Sequence, residues 1–270
     1  MKNFYNQKGF TIIEMIIAAG ATVIIIGSAL SVYLTQHKHM IVQDQISEMQ
    51  QNVRAGIEEL AIKIRMAGYN VPAGLEVLTA YNTNPDTIEI NYDGGIIEGV
   101  TVDHDMPEVS SELSCTGDIS SLSEGDWIYI FDPVAETGEY FEATHIQIEP
   151  AHIQHSTMPL SHRYPVGSIV IALRNVKYFV DNTTDPDHPR LMAKNMNEPP
   201  QIYADNITDL QFQYVLSSGP AVDVPPTSDM IREVIIGISG RTERRDPEFS
   251  NEYRTRNLQT KVKVRNIGIN

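Results

Sequence analysis

Cysteine is almost missing from this chain of 270 residues: Cys115 stands alone, so no intrachain disulfide is open to it. Lys and Arg number 20 against 35 Asp and Glu. The resulting formal charge of −15 argues against general nucleic-acid affinity, which needs a basic surface. Nucleotide chemistry has no footing, because neither a Walker loop nor a G-x-G-x-x-G is present. Hydrolytic chemistry fares no better. Gly237-Ile238-Ser239-Gly240 misses the G-x-S-x-G elbow because its second glycine comes one residue early, and Cys115 has no frame around it. A buried, inert thiol and an intermolecular thiol are the two readings of that cysteine. Internal repeats and low-complexity tracts are absent too. The chain reads as a protein that is not an enzyme and uses no cofactor.

What the chain does have is a long apolar run close to its start. Residues 15–34 hold 20 positions without a charge. At about 1.5 Å of helix rise per residue they span about 30 Å, the thickness of a bilayer core. The flanks narrow the choice. Lys2 and Lys8 supply a basic start, but the run is too long for a secretory signal, and Ala19-Gly20-Ala21, the nearest cleavage-like site, lies in its middle. A plain membrane anchor accounts for every residue except Glu14, since a carboxylate one turn inside an apolar helix is costly and needs a partner. A cut between Gly9 and Phe10 would create one. The new ammonium on Phe10 would lie four residues from Glu14, in the same chain or in a neighbour packed alongside.

Lys8-Gly9-Phe10-Thr11-Ile12-Ile13-Glu14, with a short polar leader before it and a long apolar helix after it, resembles the class III signal of type IV pilins and type II secretion pseudopilins. The resemblance implies cleavage after Gly9 by a prepilin peptidase, N-methylation of Phe10, and pairing of Glu14 with a neighbour's N-terminal amine to set assembly register. It implies residues 1–9 as leader, 10–34 as transmembrane and filament-core helix, 35–69 as an amphipathic continuation and 70–270 as an extracytoplasmic body. Losing Lys2 and Lys8 with the leader takes the side-chain charge from −15 to −17. The two lysines also favour a cytoplasmic N-terminus; the resemblance implies a single-pass inner-membrane protein with its body in the periplasm that later joins a surface pilus.

Beyond Leu34 the apolar residues Ile46, Met49, Val53, Ile57, Leu60, Ile64 and Ala67 recur every three or four positions, one face of an amphipathic helix. Glu59 and Lys63 form an i,i+4 pair, and Gly68 followed by Pro72 reads as the stop. Positions 10–67 thus predict one spine of about 87 Å, its second half laid on a sheet rather than zipped into a coiled coil. Met49-Gln50-Gln51-Asn52-Val53-Arg54 and Lys63-Ile64-Arg65-Met66-Ala67-Gly68-Tyr69 resemble PilW-type minor pilins. Thr260-Lys261-Val262-Lys263-Val264-Arg265-Asn266 is similar to the closing strand of that group and of J-type pseudopilins. The resemblance implies a minor pilin at or near a pilus tip that primes assembly. Its partners would be prepilin peptidase, other minor and major pilins, the inner-membrane assembly platform and a possible tip adhesin. A J-like secretion pseudopilin and a membrane-anchored binding protein or adhesin are the alternatives.

From residue 70 the period changes to two, and the fold class expected is α+β: the long helix packed on a mainly antiparallel body of one or two sheets. Residues 87–92 and 96–102, joined by Asp93-Gly94-Gly95, read as a hairpin. Residues 126–131 and 140–148 read as a second pair, 168–180 as one central strand, and 210–216, 233–239 and 258–265 as later strands. Residues 181–200, rich in Asp, Asn and Pro, either divide two sheets or form a hairpin excursion. Asp181, Asp185 and Asp187 are weak calcium candidates, since Pro186 replaces the EF-hand glycine and Met192 the bidentate glutamate. His145, His152, His155 and His162 crowd one region without a metal-site frame. Residues 241–265 carry eight Lys/Arg against four Asp/Glu. Lys261, Lys263 and Arg265 fall on one strand face there, as on a solvated or protected edge. Docking to an acidic subunit and DNA capture are the other readings.

Overall fold

The computed structural model describes residues 9–72, 75–155, 159–196 and 198–267; residues 1–8, the bulk of the expected leader, lie outside them. Helix α1 runs over Ile12–Met66, 55 residues and about 82 Å at 1.5 Å per residue. It starts two residues later than the sequence predicts because Thr11 is extended (φ −81°, ψ 152°) and caps the helix with its side chain. The stripe of threes and fours is the buried one: Met49, Val53, Ile57, Leu60 and Ile64 face inward, with Ile46 packed beside them. The end is also as predicted. Gly68 takes φ +78°, and a Cβ there would lie 2.7 Å from the Asn266 carbonyl oxygen, so only glycine fits. Asn266 Nδ2 donates to the orphan carbonyls of Arg65 (3.3 Å) and Ala67 (3.4 Å).

The body is entirely antiparallel among the described residues. Its first strands are β1 (Leu78–Tyr81), β2 (Thr87–Asp93), β3 (Thr101–Val102), β4 (Leu113–Thr116), β5 (Trp127–Asp132), β6 (Thr137–Glu142), β7 (His145–Gln147) and β8 (His152–Gln154). Then come β9 (Ile169–Ile171), β10 (Leu173–Asp181), β11 (Arg190–Asn195), β12 (Gln201–Asp205), β13 (Ile207–Leu216), β14 (Ala221–Val222), β15 (Ile231–Arg241) and β16 (Thr255–Lys263). They form three sheets: β1-β2-β10-β11-β12, β14-β13-β15-β16, and β6-β5-β9-β3-β4-β8-β7. The fold is α+β, with one more sheet than the upper expectation.

The buried stripe of α1 shares one core with the five- and four-stranded sheets. Close approach is set by glycine: a Cβ on Gly240 would fall 2.5 Å from Val53 Cγ2, and one on Gly56 2.7 Å from Ile238 Cδ1. Glu59 and Lys63 do pair, at 3.9 Å, but their stronger partners come from the sheet. The Tyr178 hydroxyl donates to Glu59 Oε1 at 2.7 Å, and Lys63 Nζ donates to the Tyr92 hydroxyl at 2.9 Å. The seven-stranded sheet has its own core, in which Cys115 is buried and its thiol is pushed up to about 12 by burial. That is the inert thiol of the two readings.

Two predicted strands turn out to be chain crossings. Residues 96–102 do not pair with β2; β2 lies between β1 and β10, and Asp93 Oδ1 accepts from the Gly95 amide at 2.8 Å to turn the chain toward the other core. Residues 168–180 split at Ala172 into β9 and β10, which belong to different sheets. The crossings lie side by side, with the Gly94 amide donating to the Ala172 carbonyl at 3.1 Å. Period-two patterning cannot reveal this, because a strand that switches sheets keeps its alternation. The expected pair at 126–131 does form, as β5 with β6, but 140–148 is not one strand: β6 begins earlier and ends at Glu142, and β7 pairs with β8 at the other edge of the sheet. Residues 181–190 are the hairpin excursion, since β10 and β11 pair from Val176↔Asn195 to Asp181↔Arg190.

Asp86 is a buried carboxylate within this scaffold, 4% exposed. Oδ2 accepts from the Phe212 amide at 2.8 Å, while Oδ1 has no partner among the described residues. Burial, with the nearby charges of Asp209 and Asp223, raises its pKa against the lowering effect of the Phe212 and Thr83 amides. The folded state therefore holds this proton more tightly than the unfolded chain. Its contribution to stability is present below the unfolded pKa of about 3.9 and lost as pH rises through the folded value. Asp86→Asn should flatten that fall; denaturant midpoints measured from pH 3 to 7, about the range spanned by free and raised carboxyls, would refute it if the two slopes matched.

Candidate functional site

The N-terminal half of α1 leaves the body and stands alone. By length and composition it is able to span a bilayer, and none of its most apolar 18-residue window is buried. Phe10, Ile12, Ile24 and Ile25 are each more than 65% exposed, a degree of apolar exposure that marks a membrane or protein contact. Three of its hydroxyls bond the helix's own carbonyls: Thr22 donates to Ala18 O (2.7 Å), Ser28 to Ile24 O (2.8 Å) and Thr35 to Ser31 O (3.0 Å). The segment has no proline, and the helix runs unbroken through Gly20 and Gly27, the weak points in its sequence.

Glu14 sits at the third helical position, and that decides its local chemistry. Its Oε2 accepts from the Thr11 amide at 2.8 Å and from the Thr11 hydroxyl at 2.9 Å, while its own amide donates to Thr11 Oγ1 at 3.3 Å. This reciprocal pattern is a capping box, and the negative charge also faces the positive end of the helix dipole. On sequence alone Glu14 pairs with a Phe10 ammonium, in its own chain or a neighbour, and not with Thr11; Thr-x-x-Glu at the helix start is the available signal for the box. Oε1 makes no hydrogen bond among the described residues and remains open to a further donor. Gly9 and Phe10 precede the cap, non-helical and exposed, so the bond between them is sterically accessible.

The other candidates separate. Asp181 Oδ1 accepts from the amides of Thr183 and Thr184, both at 3.0 Å, and bonds from Thr184 and Thr183 hold this carboxyl below the usual range. Asp185 binds the Asp187 amide (3.2 Å) and His188 Nδ1 (3.1 Å). These are turn contacts within one exposed loop, and among the described residues no three His, Cys, Asp or Glu side chains converge on a metal position. The histidines are similarly dispersed: His145 bonds Glu124 (2.7 Å), His152 bonds Glu112 (2.9 Å) and His155 bonds the Ser111 carbonyl (2.8 Å).

The basic stretch at 241–265 divides in two. Its second part is β16, an edge strand with Lys261 and Lys263 outward and Val262 inward, Lys261 meeting Glu233 at 2.7 Å. That is the protected edge. Its first part, residues 242–254, is a loop that descends beside α1, with Glu248 Oε2 3.5 Å from His39 Nδ1. Sequence reading missed this placement, because nothing local links residue 248 to residue 39. Compared with known protein families and with curated protein sequences, the chain matches none.

Proposed function

We propose that this chain is a minor pilin: a non-enzymatic subunit made as a single-pass inner-membrane protein, cut after Gly9, methylated on Phe10 and incorporated at or near the tip of a type IV pilus. The observation that carries the proposal is Glu14. It is the only charged residue from Gly9 to Leu34, and among the described residues it begins a helix whose apolar half is covered by no other part of the chain and one of its oxygens is unused. A neighbouring subunit's Phe10 ammonium supplies the missing donor, and a carboxylate satisfied only in one alignment fixes the axial register of packed helices. Burial of the apolar segment among neighbours then replaces its contact with lipid. The body, rigidly attached through the buried face of α1, is displayed outward.

Mass spectrometry of the protein's N-terminus in cells with a working prepilin peptidase tests this. The expected mature chain begins at methylated Phe10 and is recovered in sheared filaments. An intact Met1 start, or a cut beyond residue 20, rejects it.

A further inference from the structure

The charged loop 242–254 meets α1 just where the apolar run ends. Lys38 lies four residues beyond Leu34, about 6 Å further along the axis. The headgroup layer outside a bilayer core is about 5–7 Å thick on each side, so Lys38 is at headgroup depth when residues 15–34 fill the core. A cavity of about 330 Å³ opens there between the helix and the loop. Its apolar wall is Ile41, Val42 and Pro247; its cations are Lys38, Arg244 and Arg245.

Local pairing leaves Lys38 and Arg244 available, while Arg245 donates to the Asn251 carbonyl at 3.4 Å. Asp246, 3% exposed, is bound by Arg254 at 2.9 Å, and Glu248 faces His39. Lys38 and Arg244 have no carboxylate within ion-pair distance among the described residues, and the loop's other acids, Glu243 and Glu252, do not line the cavity. Arg245 is spread over the Tyr253 ring, 5.0 Å from its centroid. Phe249, 43% exposed under the Arg254 guanidinium, adds exposed apolar surface to the same loop. In a protein of net charge −15, a lining with three cations against the two carboxylates Asp246 and Glu248, beside an apolar wall at this depth, is amphipathic in the same sense as a phospholipid.

We propose that residues 242–254 and the Lys38 turn of α1 form a second membrane contact, which seats the phosphate of an anionic phospholipid from the leaflet where the helix emerges. The proposal rests on the membrane-anchored stage of the function above. Binding there fixes the body at one height and rotation over the bilayer before the helix leaves it.

Hydrogen–deuterium exchange on the full chain in nanodiscs tests the contact, with phosphatidylcholine alone or with about one third phosphatidylglycerol. Exchange across 242–254 should slow about fivefold or more with the anionic lipid, and the combined Lys38→Gln, Arg244→Gln, Arg245→Gln variant should abolish the difference while β15 stays protected. Equal exchange in both lipids overturns the contact while protection of residues 15–34 upholds the anchor; loss of that protection overturns both. Slowing reproduced by inorganic phosphate in phosphatidylcholine discs also overturns it, because the site would then serve a free anion.

Discussion

Glu14→Ala should lower the amount of this protein in sheared filaments by about tenfold or more, while cleavage after Gly9 proceeds as before. Two effects could produce such a loss, and the structure separates them. One is the neighbour contact, in which removal of the carboxylate leaves an ammonium buried among apolar helices without a partner. The other is local: Glu14 closes the Thr11 capping box, and a frayed first turn would also disturb packing. Glu14→Gln decides between them. Glutamine serves at the third position of a capping box but carries no charge, so it keeps the cap and loses the ion pair. Incorporation should fail in both variants, as measured by immunoblotting of sheared filaments against membrane-retained protein. Recovery with glutamine would assign Glu14 to capping alone, and normal incorporation of the alanine variant would remove it from assembly altogether.

Leu60→Ala should destabilise the body by about 2–5 kcal/mol, the range for truncating a buried leucine that leaves a cavity. Leu60 has no exposed surface and lies in the core where α1 meets the five- and four-stranded sheets, so few neighbours are free to close the gap. For a domain of this size that corresponds to a fall in Tm of about 5–15 °C. Ile62→Ala, two residues along the same helix but 49% exposed, is the control. It should change stability by no more than about 0.5 kcal/mol. Thermal unfolding followed by circular dichroism in detergent measures both. Equal losses would mean that the buried stripe does not anchor the helix.

The local part of this architecture was open to sequence reading. Twenty uncharged residues dictate a bilayer-length helix whatever surrounds them, and a stripe at threes and fours from Ile46 to Ala67 requires one buried face. Gly68 ends the helix for a reason internal to its backbone angle. Strand patterns at 126–131, 210–216, 233–239 and 258–265 were readable as well, because alternation is a property of each strand alone.

Only the tertiary structure decided which strands lie beside which. Residues 168–180 have one unbroken strand pattern, yet Ala172 hands the chain from one sheet to another, since the two cores need separate faces. The same holds for charge. Sequence set Glu14 at the head of an apolar run, and geometry showed that Thr11 already uses one of its oxygens. The 242–254 loop was legible as charged, with three Arg against four Asp/Glu, but its height beside Lys38 depends on contacts about two hundred residues apart in the chain. Local periodicity fixes what each element is; which distant residue it meets is set by the packing of the whole.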